Sequence, residues 1–369
     1  MAVKIVRQPD KIALLGAPTS AAAMSPGREG APAALRAAGL IERLKAAGYE
    51  VTDLGDDPTQ PYKPDEESPR ARNLPSVIAA LDALKPRVEQ ATKSGALPLI
   101  VSGDASVALA TVAGLRRYFR NVSIIYMARD AGLHTPATTP SGSVDGMVVS
   151  HLTGRGAAEL VRFWGEPPLV REPDLALFGV ERMDPAEEDV LRGAPLRRYL
   201  AQDAQRMGVA AAAEEAAARI QGGGREFAVH FSVDVIADFE ATDFPGAGGL
   251  RLEEAREALE IFAKQRHLAA IEVTGYNPAK DPDASGAKML VELLAGVLGK
   301  RLEASKAAAP SAASESAPVS SSPAPPETPT AETPIADTPI AERAEPHEAA
   351  AEPVNPEGAN PEPPEEPHS

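Results

Sequence analysis

Short apolar runs alternate with longer amphipathic stretches along most of this chain. Residues 12–15 (Ile-Ala-Leu-Leu) predict a strand, and residues 31–47 predict a helix with Leu35, Leu40, Ile41 and Leu44 on one face and Gly48 as its stop. The alternation continues with strands expected at 51–54, 97–101, 122–127, 175–179, 227–235 and 268–273. Between and after them, helices are expected at 74–94, 106–117, 154–163, 185–192, 208–220, 252–264 and 286–303. The strand segments are apolar at successive positions rather than at alternate ones. That is the pattern of a parallel sheet covered by helices on both faces, and it predicts a three-layer α/β/α fold. In such sheets ligands bind beyond the carboxyl ends of the strands. Asp104, Asp130 and Asp234 all fall at expected strand ends, so the sheet is expected to place them on one rim.

Composition divides the chain in two. Residues 307–369 hold 12 acids and one base, Arg343, with 15 of the 36 prolines and no aromatic residue. They carry −11 of the chain's net −16, which leaves only −5 on residues 1–306. Such a segment buries too little apolar surface to offset its ordering entropy. The expected organisation is therefore one α/β domain over residues 1–303 and a disordered acidic Pro/Ala/Glu-rich tail over 304–369. Within the tail, Glu327, Glu332 and Asp337 each open a five-residue repeat containing Thr-Pro, which reads as an extended spacer.

Several chemistries drop out. The chain has no cysteine, so it has no disulfide framework, thiol nucleophile or thiolate metal site. No apolar run approaches the roughly 20 residues of a membrane span. The basic start, with Lys4, Arg7 and Lys11, precedes an apolar run too short for a secretory signal, so a cytoplasmic protein is expected. No basic, aromatic-rich surface pattern points to nucleic acid. His134, His151, His230 and His267 are too scattered to define a metal site by spacing, and His230, within a strand, reads as a core residue.

A set of ordered segments carries a resemblance. They are Leu15-Gly16-Ala17-Pro18, the run 25–32 (Ser-Pro-Gly-Arg-Glu-Gly-Ala-Pro), Ser102-Gly103-Asp104-Ala105-Ser106 and the run 126–136 (Tyr-Met-Ala-Arg-Asp-Ala-Gly-Leu-His-Thr-Pro). Further on come Ser141-Gly142-Ser143-Val144-Asp145-Gly146, the run 179–187 with Asp184-Pro185-Ala186-Glu187, Ser232-Val233-Asp234-Val235-Ile236, and Ile271-Glu272-Val273. In order and spacing these resemble the arginase/agmatinase (ureohydrolase) family across residues 11–303. The resemblance implies the three-layer ureohydrolase fold. It also implies a pair of manganese ions held by four aspartates and two histidines, whose bridging hydroxide attacks a guanidinium carbon and releases urea.

At the positions this resemblance assigns to metal ligands, most donors are replaced. Ala105 stands for the first histidine; Ala128, Asp130 and Gly132 stand for an aspartate, a histidine and an aspartate; Asp234 is retained and Ile236 replaces its partner. Pairing Asp130-Ala131 with the family's Asp-Ala instead keeps one more aspartate but still leaves Ala105 and Ile236. Hard divalent cations need oxygen donors, and clustered carboxylates need cations to remain ionised together. No bound cofactor is therefore expected, although the family implies manganese.

Elsewhere in the site the match is mixed. Asp145 falls where the family has a proton-relay histidine, and Asp130, His134, Ser141, Asp184, Glu187 and Glu272 are the substrate-side candidates. Asp104, Asp130, Asp145, Asp184, Asp234 and Glu272, with His134, are expected either to form an acidic cleft for a cationic ligand or to bond loop amides at strand ends. Arg129, beside Asp130, is either an internal counter-ion replacing the metals or a solvated arginine. The leading functional expectation is a catalytically inactive family member with an oligomerisation or ligand-sensing role. The alternatives are a divergent hydrolase of guanidino or amidino C–N bonds and a binding module for a cationic amino acid or polyamine. Family members are typically trimers or hexamers, so a homo-oligomer, or a mixed oligomer with an active paralogue, is what the resemblance implies.

Overall fold

The computed structural model describes residues 5–308, and the expected acidic tail lies almost wholly outside that range. Eight strands form one parallel sheet: β1 Lys11–Ala17, β2 Glu50–Asp56, β3 Leu97–Ser102, β4 Val122–Met127, β5 Leu175–Phe178, β6 Arg197–Tyr199, β7 Glu226–Ser232 and β8 Leu268–Thr274. Their order across the sheet is β2-β1-β3-β8-β7-β4-β5-β6, and every pairing is parallel. Every residue of β3, β4 and β8 is buried, as continuous apolar runs require in a sheet covered on both faces. The edge strand β2 is half open to water and reads Glu-Val-Thr-Asp-Leu-Gly-Asp.

Alternation along each strand sends neighbouring side chains into two cores. Ile12, Leu14, Leu99 and Phe178 pack on one face with helices Leu252–Ala263 and Ser285–Ala308. Ala13, Leu15, Ile100 and Leu177 pack on the other with helices Leu74–Ser94 and Val107–Leu115. The chain lays down β1 to β3, jumps to β4 to β6, and only then returns to fill the gap with β7 and β8. The loops leaving β3 and β4 therefore diverge, and the crevice between them opens above the carboxyl ends of β8 and β7.

Seven of the eight strands are legible in the apolar runs. The eighth, β6, is three residues long and its register partners are only in β5, so it carries no apolar signature of its own. The expected helix at 31–47 is two helices, Ala31–Ala37 and Leu40–Ala46, because Gly39 sits at φ +91° and breaks the hydrogen-bond ladder. The expected helix at 154–163 is replaced by Val148–Leu152 and Ala158–Val161 with a turn between them. Strand β7 ends at Ser232 rather than 235, and a 3₁₀ turn over Val233–Val235 carries Asp234. An additional helix, Ala201–Met207, precedes the expected one at Val209–Ile220. The last helix runs to Ala308. Among the described residues no helix is long and apolar enough to cross a membrane.

Candidate functional site

A cavity of about 530 Å³ opens above the carboxyl ends of β4 and β7. Strand β4 delivers Tyr126 to its floor and the segment after it delivers Ala128 and Asp130; Asp234 follows β7 and Ala105 follows β3. His134, Ser141, Ser143, Asp145, Glu187, Ser232 and Arg72 complete the polar lining. The common rim expected for the strand-end aspartates is thus formed by Asp130 and Asp234 but not by Asp104.

Asp104 is fully buried and serves its own loops. One carboxylate oxygen accepts from the Thr19 hydroxyl at 3.0 Å and the Ala22 amide at 3.1 Å, and the other accepts from the amide and hydroxyl of Ser106. Burial, reinforced by the charge of Asp145, pushes its carboxyl up to about 6 despite these bonds.

Asp145 accepts from the Ala105 amide at 2.6 Å and from Arg28 Nη1 at 2.9 Å. Arg28 is the hub of this side of the site. Its side chain is 5% exposed, and its Nε lies 2.8 Å from Asp243 Oδ2. Burial works against its charge, but Asp145 and Asp243 outweigh burial and hold its pKa above the ordinary arginine value. Asp243 in turn accepts from Ser25 Oγ at 2.7 Å and Asn277 Nδ2 at 2.8 Å.

Asp130 is gripped through both oxygens by Arg182, whose guanidinium also lies 4.9 Å from the centre of the Phe244 ring. Arg129 is neither solvated nor the partner of Asp130. Its side chain is buried and turned toward Glu181, with Nε to Oε2 at 3.0 Å and Nη1 donating to the Phe244 carbonyl at 3.2 Å. Only its backbone amide approaches a site acid, reaching Asp234 Oδ1 at 3.4 Å. The internal counter-ions of the cleft are therefore Arg182 and Arg28. Sequence reasoning missed both as partners. Arg28 is 117 residues from Asp145 and Arg182 is 52 from Asp130, so no local spacing marks them.

Asp234 has no arginine or lysine side chain within ion-pair distance among the described residues and accepts from the Arg129 amide. Burial and the nearby charge of Asp130 push its carboxyl upward.

On the opposite wall, Asp184 caps helix Pro185–Gly193. Asp184 Oδ1 accepts from the Glu187 amide at 3.0 Å, and Glu187 Oε2 accepts from the Asp184 amide at 3.3 Å. Glu187 also accepts from the Leu133 amide at 3.0 Å, and burial raises its pKa. His134 Nε2 stands 3.4 Å from Asp184 Oδ2 and 3.8 Å from Glu187 Oε2. One ligand-type atom from each of these three residues lies within 4.8 Å of the others. Ser141 lines the cavity, and its Oγ accepts from the Ser143 amide at 3.2 Å.

Glu272 does not face the cavity. It is fully buried on β8, in register with His230 on β7, and its Oε2 accepts from His230 Nδ1 at 2.7 Å. Tyr126, in register with His230 from the other side, stacks on the imidazole at 4.4 Å between ring centres. The three make a row across the sheet, with Tyr126 in the cavity floor and His230 and Glu272 behind it. The core reading of His230 fits this placement.

Of the other positions the resemblance assigns to metal ligands, Ala105 and Ala128 form cavity wall, whereas Gly132 and Ile236 do not line it. Gly132 is at φ +65°, a conformation that disfavours any β-carbon, aspartate included. A β-carbon there would also sit 3.4 Å from the Tyr126 hydroxyl.

The fold and the strand-end site define an α/β/α ureohydrolase-type architecture. Residues 10–299 match the arginase family, and the chain belongs to it. The arginase of Bacillus subtilis (strain 168) is 30% identical over 298 residues, covering 79% of this chain and 98% of that protein. The arginase of Bacillus caldovelox is 29% identical over 298 residues, covering 79% and 99%. The native crystal structure of the Bacillus caldovelox arginase at pH 5.6 superposes with a TM-score of 0.72 at 27% identity, covering 79% of this chain and 98% of that one. Proclavaminate amidino hydrolase from Streptomyces clavuligerus shares the fold, with a TM-score of 0.62 at 18% identity over 82% of this chain and 96% of that one.

Proposed function

We propose that this arginase-family chain is a non-catalytic member whose cleft binds a cationic amino acid, acting as a ligand-sensing subunit of a homo-oligomer or of a mixed oligomer with an active paralogue. The observation that carries the reading is that two of the cleft's acids are already neutralised from within. Asp130 is committed to Arg182, and Asp145 to Arg28. The residues present do not fit a manganese pair. Ala105, Ala128, Gly132 and Ile236 offer no side-chain donor, and Asp234 is left as the one acid at an assigned ligand position without an arginine partner. Two divalent ions a few ångströms apart need several shared oxygen or imidazole ligands, and a single carboxylate does not supply them.

Arg72 favours an amino acid over a polyamine. Arg72 lines the same cavity as Asp234 and Glu187. It therefore offers a partner for a carboxylate in a cavity that also holds two acids to attract an amino or guanidino group.

The test combines metal content with binding. Protein purified in excess manganese is assayed by elemental analysis and for urea release from arginine and agmatine, while melting temperature is followed with arginine, ornithine, agmatine and putrescine. The reading expects fewer than two metals per chain, no urea, and a larger melting shift for arginine and ornithine than for the decarboxylated amines. Two metals per chain with urea release return the chain to the divergent hydrolases. One metal per chain, lost on His134→Ala substitution, favours a rebuilt single-ion site at His134, Asp184 and Glu187.

A further inference from the structure

A second cavity, of about 920 Å³, opens at the other end of the sheet, where β3, β7 and β8 begin. Its charged lining is Arg7, Lys264, Arg266, His267 and Arg301, with Glu226 as the one acid. Tyr118 and Phe119 supply an aromatic side. Glu226 is already used, paired with Arg7 and 3.3 Å from His267 Nδ1. Lys264 reaches Glu260 at 3.4 Å.

Arg301 is different. It is 7% exposed, and its only partners among the described residues are carbonyl oxygens. Nη1 donates to Ala263 at 2.7 Å and to Gln265 at 3.3 Å, while Nε has no partner. These carbonyls end helix Leu252–Ala263, so the helix dipole compensates part of the charge. That leaves a guanidinium withdrawn from water without a carboxylate, in a cavity it shares with Arg266, which likewise has no acid within ion-pair distance among the described residues. Buried charges are costly unless paired, and the cavity that Arg301 lines has room for a counter-charge.

We infer that this cavity binds a multivalent oxyanion, either an organic phosphate or a di- or tricarboxylate. Arg301, Arg266 and Lys264 hold the charged groups, and the ligand's carbon part lies against Tyr118 and Phe119. The site is separate from the cleft at the carboxyl ends of the strands and does not depend on what that cleft binds.

Full-length protein is titrated calorimetrically with pyrophosphate and, separately, with citrate. The expected result is one saturable site per chain for at least one of the two. Affinity is expected to fall about tenfold in Arg266→Gln, the loss of one charge-assisted contact, and at least as far in Arg301→Gln. Arg266 is exposed, so its variant folds even if Arg301→Gln does not. Asp234→Asn, in the distant cleft, leaves the affinity unchanged. Binding of pyrophosphate alone identifies the ligand as a phosphate, of citrate alone as a polycarboxylate, and of both as a general multivalent oxyanion. No saturable binding of either anion overturns the inference. So does binding that both arginine variants leave intact, which would reduce Arg301 to a helix-end cap.

Discussion

Replacing Arg28 with methionine removes the charge that the cleft is built around. The side chain is 5% exposed and touches Asp145 at 2.9 Å and Asp243 at 2.8 Å. Breaking a buried pair by deleting one partner strands the other charge and costs about 3–5 kcal/mol. Two features place this case near the lower end. Asp145 is 21% exposed, so water takes over part of Arg28's role. Asp243, though only 3% exposed, keeps Lys280 at 3.4 Å. A loss of about 3 kcal/mol corresponds to a melting temperature lower by roughly 6–12 °C in a domain of this size.

The pH dependence has a definite sign. Burial alone pushes Asp243 upward, but Arg28, Asn277 and Ser25 outweigh it and hold its pKa below the usual carboxylate range. Its contribution is therefore fully present above the unfolded-state value near 4 and is lost as pH falls through the folded value. Without Arg28, Asp243 takes up a proton at higher pH and the penalty is relieved. Urea denaturation of both proteins at pH 7 and pH 4.5 should show the larger stability difference at pH 7. A difference below about 1 kcal/mol, or one equal at the two pH values, would refute this account of the cleft's electrostatics.

Two further outcomes follow from buried groups. Restoring a lost donor with Ala128→Asp puts a carboxylate at a position 2% exposed, close to Asp130 and Asp234; it should destabilise by roughly 2–4 kcal/mol, and added manganese should not restore the melting temperature. Full rescue by manganese would show that the remaining donors do hold a metal. His151 is held neutral by burial, which pulls its pKa down to about 4 against the opposing bond to the Met147 carbonyl, and its Nε2 accepts from the Ala157 amide at 3.1 Å. The unfolded chain binds that proton near pH 6.5, so stability should fall as pH drops from there toward 4, by at most about 1.4 kcal/mol per unit. Subtracting the pH–stability curve of His151→Phe from that of the unsubstituted protein should expose this slope; parallel curves would remove His151 as its source.

Much of the architecture was written locally. Apolar runs such as 97–101 and 122–127 specify strands buried on both faces, and a sheet of such strands must be parallel and sandwiched between helices. Ordered motifs from Leu15 to Val273 carry the family, because each depends on neighbours in sequence. The donor-poor residues Ala105, Ala128, Gly132 and Ile236 were equally legible, since a side chain without a lone pair has none in any fold.

What the sequence withheld is pairing across distance. It left Asp104, Asp130, Asp145, Asp184, Asp234 and Glu272 either as one acidic cleft or as partners of loop amides, and the fold divided them between the two. Asp104 turned beneath its own loops, Glu272 went behind the floor with His230, and Asp184 became a helix cap. It offered Arg129 as the counter-ion because Arg129 adjoins Asp130, yet adjacent residues leave a strand end pointing in different directions. Arg129 went to Glu181, while Arg182, whose backbone bridges to Asp130 in the tertiary structure, took the aspartate. Hydrophobic periodicity encodes which face of an element is buried; which charge meets which is decided only when loops from separate strands converge, and that convergence depends on the order in which the sheet is assembled.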